Sequence, residues 1–255
     1  MESKNSWQTY RTSIKGTEAI ITVNLSITEK LDSHLYPYVI HFSIPFPLPF
    51  NSTESIYEQA QLDQFSQTLL PLMSISESLF VGYIILQNKV TLYFYTKHSE
   101  TFHSQLQQMK LDYIDEIVSQ SDPNCDLYYD FLLPSSLEMK LNATVETLAL
   151  LHQEGEDLSL LHAITHKFQF ENRELMEDFI DFYAQQSLFN IQYTDKPVEY
   201  DNEAFYLVTL QHESALDDDT IFNLVEKFEL QAEEYAGEYN GWECQILNQT
   251  GKSLH

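Results

Sequence analysis

Three histidines, His162, His166 and His212, have the side-chain type for metal ligation or general acid–base work. His162 and His166 are four residues apart, a spacing that would suit a metal site on a helix. The surrounding pattern is that of a strand: His162, Ile164, His166, Phe168 and Phe170 alternate with Ala163, Thr165, Lys167 and Gln169. On a strand, positions i and i+4 lie roughly 13 Å apart, so these two imidazoles cannot chelate one ion alone. His212, with Glu213 beside it, sits beyond the end of another strand and could join either. The expectation is a pair of structural histidines on a core-facing strand, one at its edge, with no metal or other cofactor. Asp217, Asp218 and Asp219 resemble a divalent-cation cluster, yet they lack the glycine and the twelfth-position carboxylate of an EF-hand loop. Their negative charges suit the positive end of a helix dipole instead.

No serine sits in a G-x-S-x-G elbow, and neither a P-loop nor a G-x-G-x-x-G occurs. With only six glycines, a phosphate cradle built from backbone amides has little material. Cys125 and Cys244 lie far apart, with no second thiol at metal-ligand spacing. Thirteen Lys and Arg against 39 Asp and Glu give a formal charge of −26, which disfavours direct contact with nucleic acid and with anionic membranes. Hydrophobic residues at 43% and aromatics at 13% are too abundant for a disordered chain. The N-terminus shows no signal-like apolar region and no stretch is apolar for long enough to span a bilayer, so a cytoplasmic location is expected.

The elements that must position these groups fall into two parts. The best junction is Leu133-Pro134-Ser135-Ser136, where the proline disfavours helix before it and a serine can cap a helix after it. Residues 1–134 carry a formal charge of −8 and residues 135–255 carry −18. In the first part, strands are predicted at 18–25, 36–46, 79–86, 90–95, 113–118 and 127–132. Helices are predicted around Leu62, Phe65, Leu69 and Leu72 and around Phe102, Leu106 and Met109. The 79–95 region reads as a hairpin in which Asn88 takes positive φ.

The second part opens with a helix whose stripe is Leu137, Leu141, Val145, Leu148 and Leu151, ending near Gly155. The strand from His162 follows, then a helix over 171–186, strands at 188–193 and 204–211, a helix from Asp217, and a strand over 239–246. That last helix buries Ile221, Leu224, Val225, Phe228, Ala232 and Tyr235 and turns Glu226, Glu229, Glu233 and Glu234 to solvent. Strand, helix, strand, strand, helix, strand is the order of two split βαβ units, and the first part from Tyr36 gives the same order. The fold class expected is α+β: two ferredoxin-like sandwiches, domains 1–134 and 135–255, with antiparallel sheets packed on helices.

The segment Glu233-Glu234-Tyr235-Ala236-Gly237-Glu238-Tyr239-Asn240-Gly241-Trp242-Glu243 resembles the C-terminal signature of the regulator of ribonuclease E activity B (RraB) family. The resemblance reaches back through Ala215-Leu216-Asp217 and Ile164 to Phe170, to about residue 140. Gly237 is expected to end the helix with positive φ and Gly241 to let the last strand approach a neighbour beside Trp242, itself taken as structural. The first part is similar to a bacterial domain of unknown function often found ahead of such a regulator-like domain. Tyr36-Pro37-Tyr38, Val81-Gly82, Tyr93-Phe94-Tyr95, Asp122-Pro123 and Tyr128 to Pro134 carry that resemblance. The regulator-family resemblance of the second part implies a small acidic α+β protein that binds ribonuclease E and restrains RNA decay.

The function expected is therefore an acidic, non-catalytic protein-binding modulator whose partner presents a basic segment, a ribonuclease being the implied candidate. The contact residues expected are the exposed carboxylates Asp217, Asp218, Asp219, Glu229, Glu233 and Glu234. Two alternatives remain open: an immunity or antitoxin protein whose carboxylates mimic nucleic acid, and a hydrolase or metal enzyme using His162, His166 or His212.

Overall fold

The computed structural model describes residues 6–28, 30–45, 59–111, 114–200, 203–216 and 218–246, with the side chains of 59–64, 66 and 218 outside that description. The chain divides into two compact units, residues 1–135 and 136–255. Both are α+β with antiparallel sheets.

The first unit comprises β1 (Trp7–Ile14), β2 (Thr17–Asn24), β3 (Tyr38–Pro45), α1 (Gln59–Met73), β4 (Ser78–Leu86), β5 (Lys89–Thr96), α2 (Ser99–Gln108) and β6 (Val118–Ser121). Its strand order is β1-β2-β4-β5-β3-β6. From β3 onward this is the arrangement expected of two split βαβ units, extended at the β4 edge by the β1–β2 hairpin. The hairpin turns on Lys15 and Gly16, both at positive φ (52° and 78°), the demand of a two-residue type I′ turn. β1 has no counterpart among the expected elements. Both faces of the sheet are covered. Phe42, Phe94, Phe102, Leu106 and Leu72 form one core with the helices, while Tyr10, Ile21, Val23, Tyr95, Tyr128 and Leu132 form another. A strand buried on both faces loses polar alternation, which is why β4 and β5 read as continuous apolar runs. In their hairpin, positive φ falls on Gln87 (55°), one residue before the expected Asn88.

Two expected strands of this unit are corrected. Residues 127–132 form a π-helical turn, Leu127–Leu132, instead of a strand. Asp122 decides this: its Oδ1 accepts from the Asp126 amide (2.9 Å), while Oδ2 accepts from the Leu127 amide (3.1 Å) and the Tyr95 hydroxyl (2.5 Å). With those amides committed to a carboxylate, Tyr128 and Leu132 enter the core at helical spacing, and the Tyr128 hydroxyl donates to the Asn24 carbonyl. The strand expected over 113–118 lies instead at β6, paired with β3 from Tyr38↔Ser121 to His41↔Val118. Every β6 side chain is exposed, so the strand exists through backbone pairing and has no apolar alternation to read. Tyr113 lies outside the described residues, as does the side chain of Leu62.

The second unit comprises α3 (Ser136–Gln153), β7 (Leu161–Phe170), α4 (Arg173–Ala184), β8 (Asn190–Tyr193), β9 (Val198–Tyr200), β10 (Glu203–Ala215), α5 (Asp218–Glu234) and β11 (Gly237–Cys244). The order β11-β7-β10-β8 again matches two split βαβ units, with the short β9 added beside the start of β10. α3 ends in a Schellman arrangement: Gly155, at φ 84°, donates to the His152 carbonyl and Glu156 donates to the Leu151 carbonyl, both at 3.0 Å. Asn172 caps α4, its side chain accepting from the Glu174 and Leu175 amides. The core is aromatic: Phe168, Phe170, Phe179, Tyr183, Phe228 and Tyr239 are all buried and in mutual ring contact. Among the described residues no helix is long and apolar enough to cross a membrane.

Three local expectations change here. On α3 the buried stripe runs through Thr144, Leu148 and Leu151, leaving Val145 44% exposed. Thr144 belongs inside because its hydroxyl donates to the Lys140 carbonyl (2.8 Å) and accepts from the Trp242 indole (3.0 Å). After α5 the left-handed residue is Ala236 (φ 49°), not Gly237. Gly237 opens β11 against the Phe170 ring, where a Cβ would overlap the ring carbons. Gly241 has the positive φ (87°), with open space around it, in the bulge between Tyr239 and Trp242.

Candidate functional site

The helical layer of the second unit displays a set of exposed carboxylates. α4 buries Met176, Phe179 and Tyr183, so the helical period turns Glu174, Glu177, Asp178 and Asp181 to solvent. α5 buries Ile221, Val225, Phe228 and Ala232, and leaves Asp219, Glu226, Glu233 and Glu234 exposed. The two helices lie side by side, the Tyr183 hydroxyl donating to Gln231 at 3.2 Å. Little of this charge is neutralised: Arg173 pairs with Glu177 (2.8 Å), and the Lys227 ammonium lies over the Tyr183 ring. Asp178, Asp181, Glu226 and Glu233 form no ion pair among the described residues.

Of the expected contact residues, Asp219 is exposed at the start of α5 and Glu233 and Glu234 at its end, about 21 Å further along the helix, with Gln231 donating to Glu234 at 3.0 Å. Asp217 lies outside the described residues, as does the side chain of Asp218, which begins α5. Glu229 is corrected: it is only 15% exposed and paired with Lys140 of α3, whose Nζ lies 2.8 Å from Oε2 and 3.0 Å from Oε1. The packing of α3 on α5 brings the lysine over it, and helix periodicity alone cannot show that. The α4 carboxylates were not among the expected contacts. Their signal was present in the three- and four-residue steps of 174, 177, 178 and 181.

The histidines divide differently. His166 and His212 meet, while His162 stands apart with Glu156, its Nε2 3.4 Å from the carboxylate and its Nδ1 2.9 Å from the Leu160 carbonyl. His212 lies within β10 and not beyond its end, which brings its Nε2 to 3.1 Å from that of His166. The rings are nearly coplanar (13°) with centroids 5.3 Å apart, so the two nitrogens face each other head-on. A chelated ion needs both lone pairs to converge on one point beside that line. Head-on nitrogens share a hydrogen bond instead. The Tyr239 hydroxyl, 2.8 Å from His166 Nδ1, completes a hydrogen-bonded chain Tyr239–His166–His212. Burial, reinforced by the neighbouring His212, drives the His166 imidazole down to about 3, and burial also lowers His212. Burial pushes the Tyr239 phenol far up, with the Glu229 charge adding to the effect, so the hydroxyl stays protonated. Both rings are thereby held neutral, in a role that orders β7, β10 and β11.

A cleft of 440 Å³ opens between α3 and β11, lined among others by Met139, Thr144, Tyr239, Gly241 and Trp242. The Trp242 indole forms part of its wall and is locked there by Thr144. Cys125 is buried and pushed up to about 11 by burial and the nearby Asp122, Asp126 and Asp32 carboxylates.

Residues 5–133 match the model of a family of unknown function, DUF695, over just over half of the chain. The chain belongs to DUF695. Beyond the DUF695 span, residues 141–244 match the model described as regulator of ribonuclease activity B, so an RraB domain follows in the second unit. That match contains β7 and β11, the helices α4 and α5 that complete the aromatic cluster, and the carboxylates those helices expose. No curated protein matches the chain. Among solved structures, an unknown protein from Galdieria sulphuraria is similar over 83% of this chain and 99% of its own, at 9% identity. Its TM-score of 0.24 is too low to carry a structural argument.

Proposed function

We propose that this DUF695 protein is a non-catalytic modulator that binds a ribonuclease, or a ribonuclease-containing assembly, through the acidic surface of its second unit. One observation carries the reading: the RraB match and the exposed, largely unpaired carboxylates of α4 and α5 coincide in one compact unit. Such a surface attracts a basic segment over roughly a Debye length, about 8 Å at physiological ionic strength. It accelerates encounter more than it deepens affinity. Nucleic acid, itself an anion, is repelled by the same field.

Affinity capture on the full chain, read by mass spectrometry, tests this. The expected result is a ribonuclease recovered at low salt and released as salt rises. Recovery of no ribonuclease overturns the proposal. Asp219→Lys, Glu233→Lys and Glu234→Lys together are expected to slow association with the captured enzyme by about tenfold while the chain remains folded.

A further inference from the structure

The face of the second sheet away from its helices has its own relief. β7 sends Ile164 toward Leu148 and Leu151 of α3, and Phe168 toward Phe179 of α4 and Phe228 of α5. Alternation therefore puts Thr165, Lys167 and Gln169 on the opposite face. Glu238 of β11 and Leu207 of β10 flank Gln169 in register, and Phe205 and Glu203 continue that face along β10. The β9 pairs Val198↔Phe205 and Tyr200↔Glu203 widen it. A groove of 550 Å³ results, lined by Gln169, Glu171, Glu203, Phe205, Gly237 and Glu238.

Its chemistry is two-fold. The three glutamates are exposed, and Glu238 is held in place by a relay: the Asn240 amide donates to Gln169 Oε1 (3.1 Å), and the Gln169 amide donates to Glu238 Oε2 (2.7 Å). Lys167, farther along β7 on this face, is already paired with Glu243 at 2.6 Å. The half-buried Phe205 lines the groove beside the carboxylates, and across from it on β9 lie the 74% exposed Tyr200, paired with Glu203, and the exposed Val198. Gly237 faces the other side of the sheet, where the lack of a Cβ leaves room for the buried Phe170 ring.

We propose that this sheet face seats an arginine-rich segment of a protein partner, guanidinium groups lying on the Tyr200 and Phe205 rings and hydrogen-bonding the Glu171, Glu203 and Glu238 carboxylates. Charge complementarity selects a cation, and the Phe205 and Tyr200 side chains beside the carboxylates select arginine over lysine. A guanidinium stacks on a ring while its edge forks onto a carboxylate, whereas an ammonium is a compact, strongly hydrated point charge. The proposal rests on the protein-binding reading of this unit and adds to it a place and a chemistry: the helical carboxylates steer, and the groove anchors.

Fluorescence anisotropy on the full chain, with labelled hexa-arginine and hexa-lysine as probes, tests it. Hexa-arginine is expected to bind about threefold or more tightly than hexa-lysine at equal charge. Glu171→Gln, Glu203→Gln and Glu238→Gln together are expected to weaken hexa-arginine about tenfold. Asp219→Asn, Glu233→Gln and Glu234→Gln remove equal charge and are expected to weaken it no more than about twofold. Equal losses in the two triple variants, or equal binding of the two probes, would mean only diffuse attraction to an acidic protein and would overturn the proposal. In amide NMR spectra, hexa-arginine must shift the Gln169 and Asn240 side-chain resonances; if they stay still, the groove is empty of it. A chain that captures a ribonuclease but does not distinguish the probes loses the groove alone. One that distinguishes them but captures no ribonuclease loses the modulator reading alone.

Discussion

His166 and His212 face each other through their Nε2 atoms at 3.1 Å, and with Tyr239 they form one hydrogen-bonded chain across the three strands β11, β7 and β10. The arrangement accommodates one proton between the rings. A second proton would set two N–H groups against each other in a buried site.

This makes the second unit acid-sensitive. His166 titrates near 6.5 when unfolded and at about 3 when folded, so between those values the unfolded chain binds the extra proton. Stability from this group is complete above about pH 6.5 and is lost as pH falls toward 3, a loss on the order of a few kcal/mol. Denaturant unfolding of wild type and His166→Phe between pH 7 and 5 checks it. The variant is expected to have the shallower pH slope; equal slopes would refute the assignment.

Neighbouring residues at the α5–β11 junction should respond with opposite signs. Gly237→Ala pushes a Cβ into the buried Phe170 ring, itself packed on Phe179, and is expected to cost about 1–3 kcal/mol. Ala236→Gly relieves a left-handed alanine and is expected to gain a few tenths to about 1 kcal/mol. Thermal unfolding of the two single variants measures both.

The Trp242–Thr144 bond ties β11 to α3. Thr144→Val keeps the shape but leaves the indole N–H without its partner, at an expected cost of about 1–2 kcal/mol. Trp242→Phe in the Thr144→Val background should add less than it does alone, the mark of a shared interaction in a double-mutant cycle.

Lys140 and Glu229 are a half-hidden pair, not a surface one. Lys140→Met strands the carboxylate and is expected to destabilise by about 2 kcal/mol, and Lys140→Met with Glu229→Leu should recover most of that loss. Ribonuclease capture by the double variant should match that of the wild type, since Glu229 faces α3 and not solvent.

Legibility in the sequence followed the range of the forces involved. β7 could be read residue by residue because Ile164, Phe168 and Phe170 answer to one core across a period of two. The helices α4 and α5 were readable for the same reason at a period of 3.6. β1 escaped because it buries only Tyr10 fully, and its hairpin depends on the unassuming pair Lys15-Gly16. Residues 127–132 have the aromatic composition of a strand, and it takes the buried carboxylate of Asp122 to wind them into a turn. At the site, Asp219, Glu233 and Glu234 were legible as wet positions of one helix. Glu229 was not, because its partner Lys140 arrives from another helix 89 residues earlier. The meeting of His166 with His212 was equally hidden, since β10 extends four residues past the point where its apolar pattern fades.

The most direct measurement is a titration of RNA cleavage by the captured ribonuclease with increasing amounts of the purified full chain, at low and at high salt. The account expects cleavage to slow until the chain reaches stoichiometry with the enzyme, the RNA remaining unbound by the chain, and the inhibition to weaken as salt rises. Cleavage that continues at its original rate in stoichiometric excess of the chain, or inhibition as strong at high salt as at low, would contradict it.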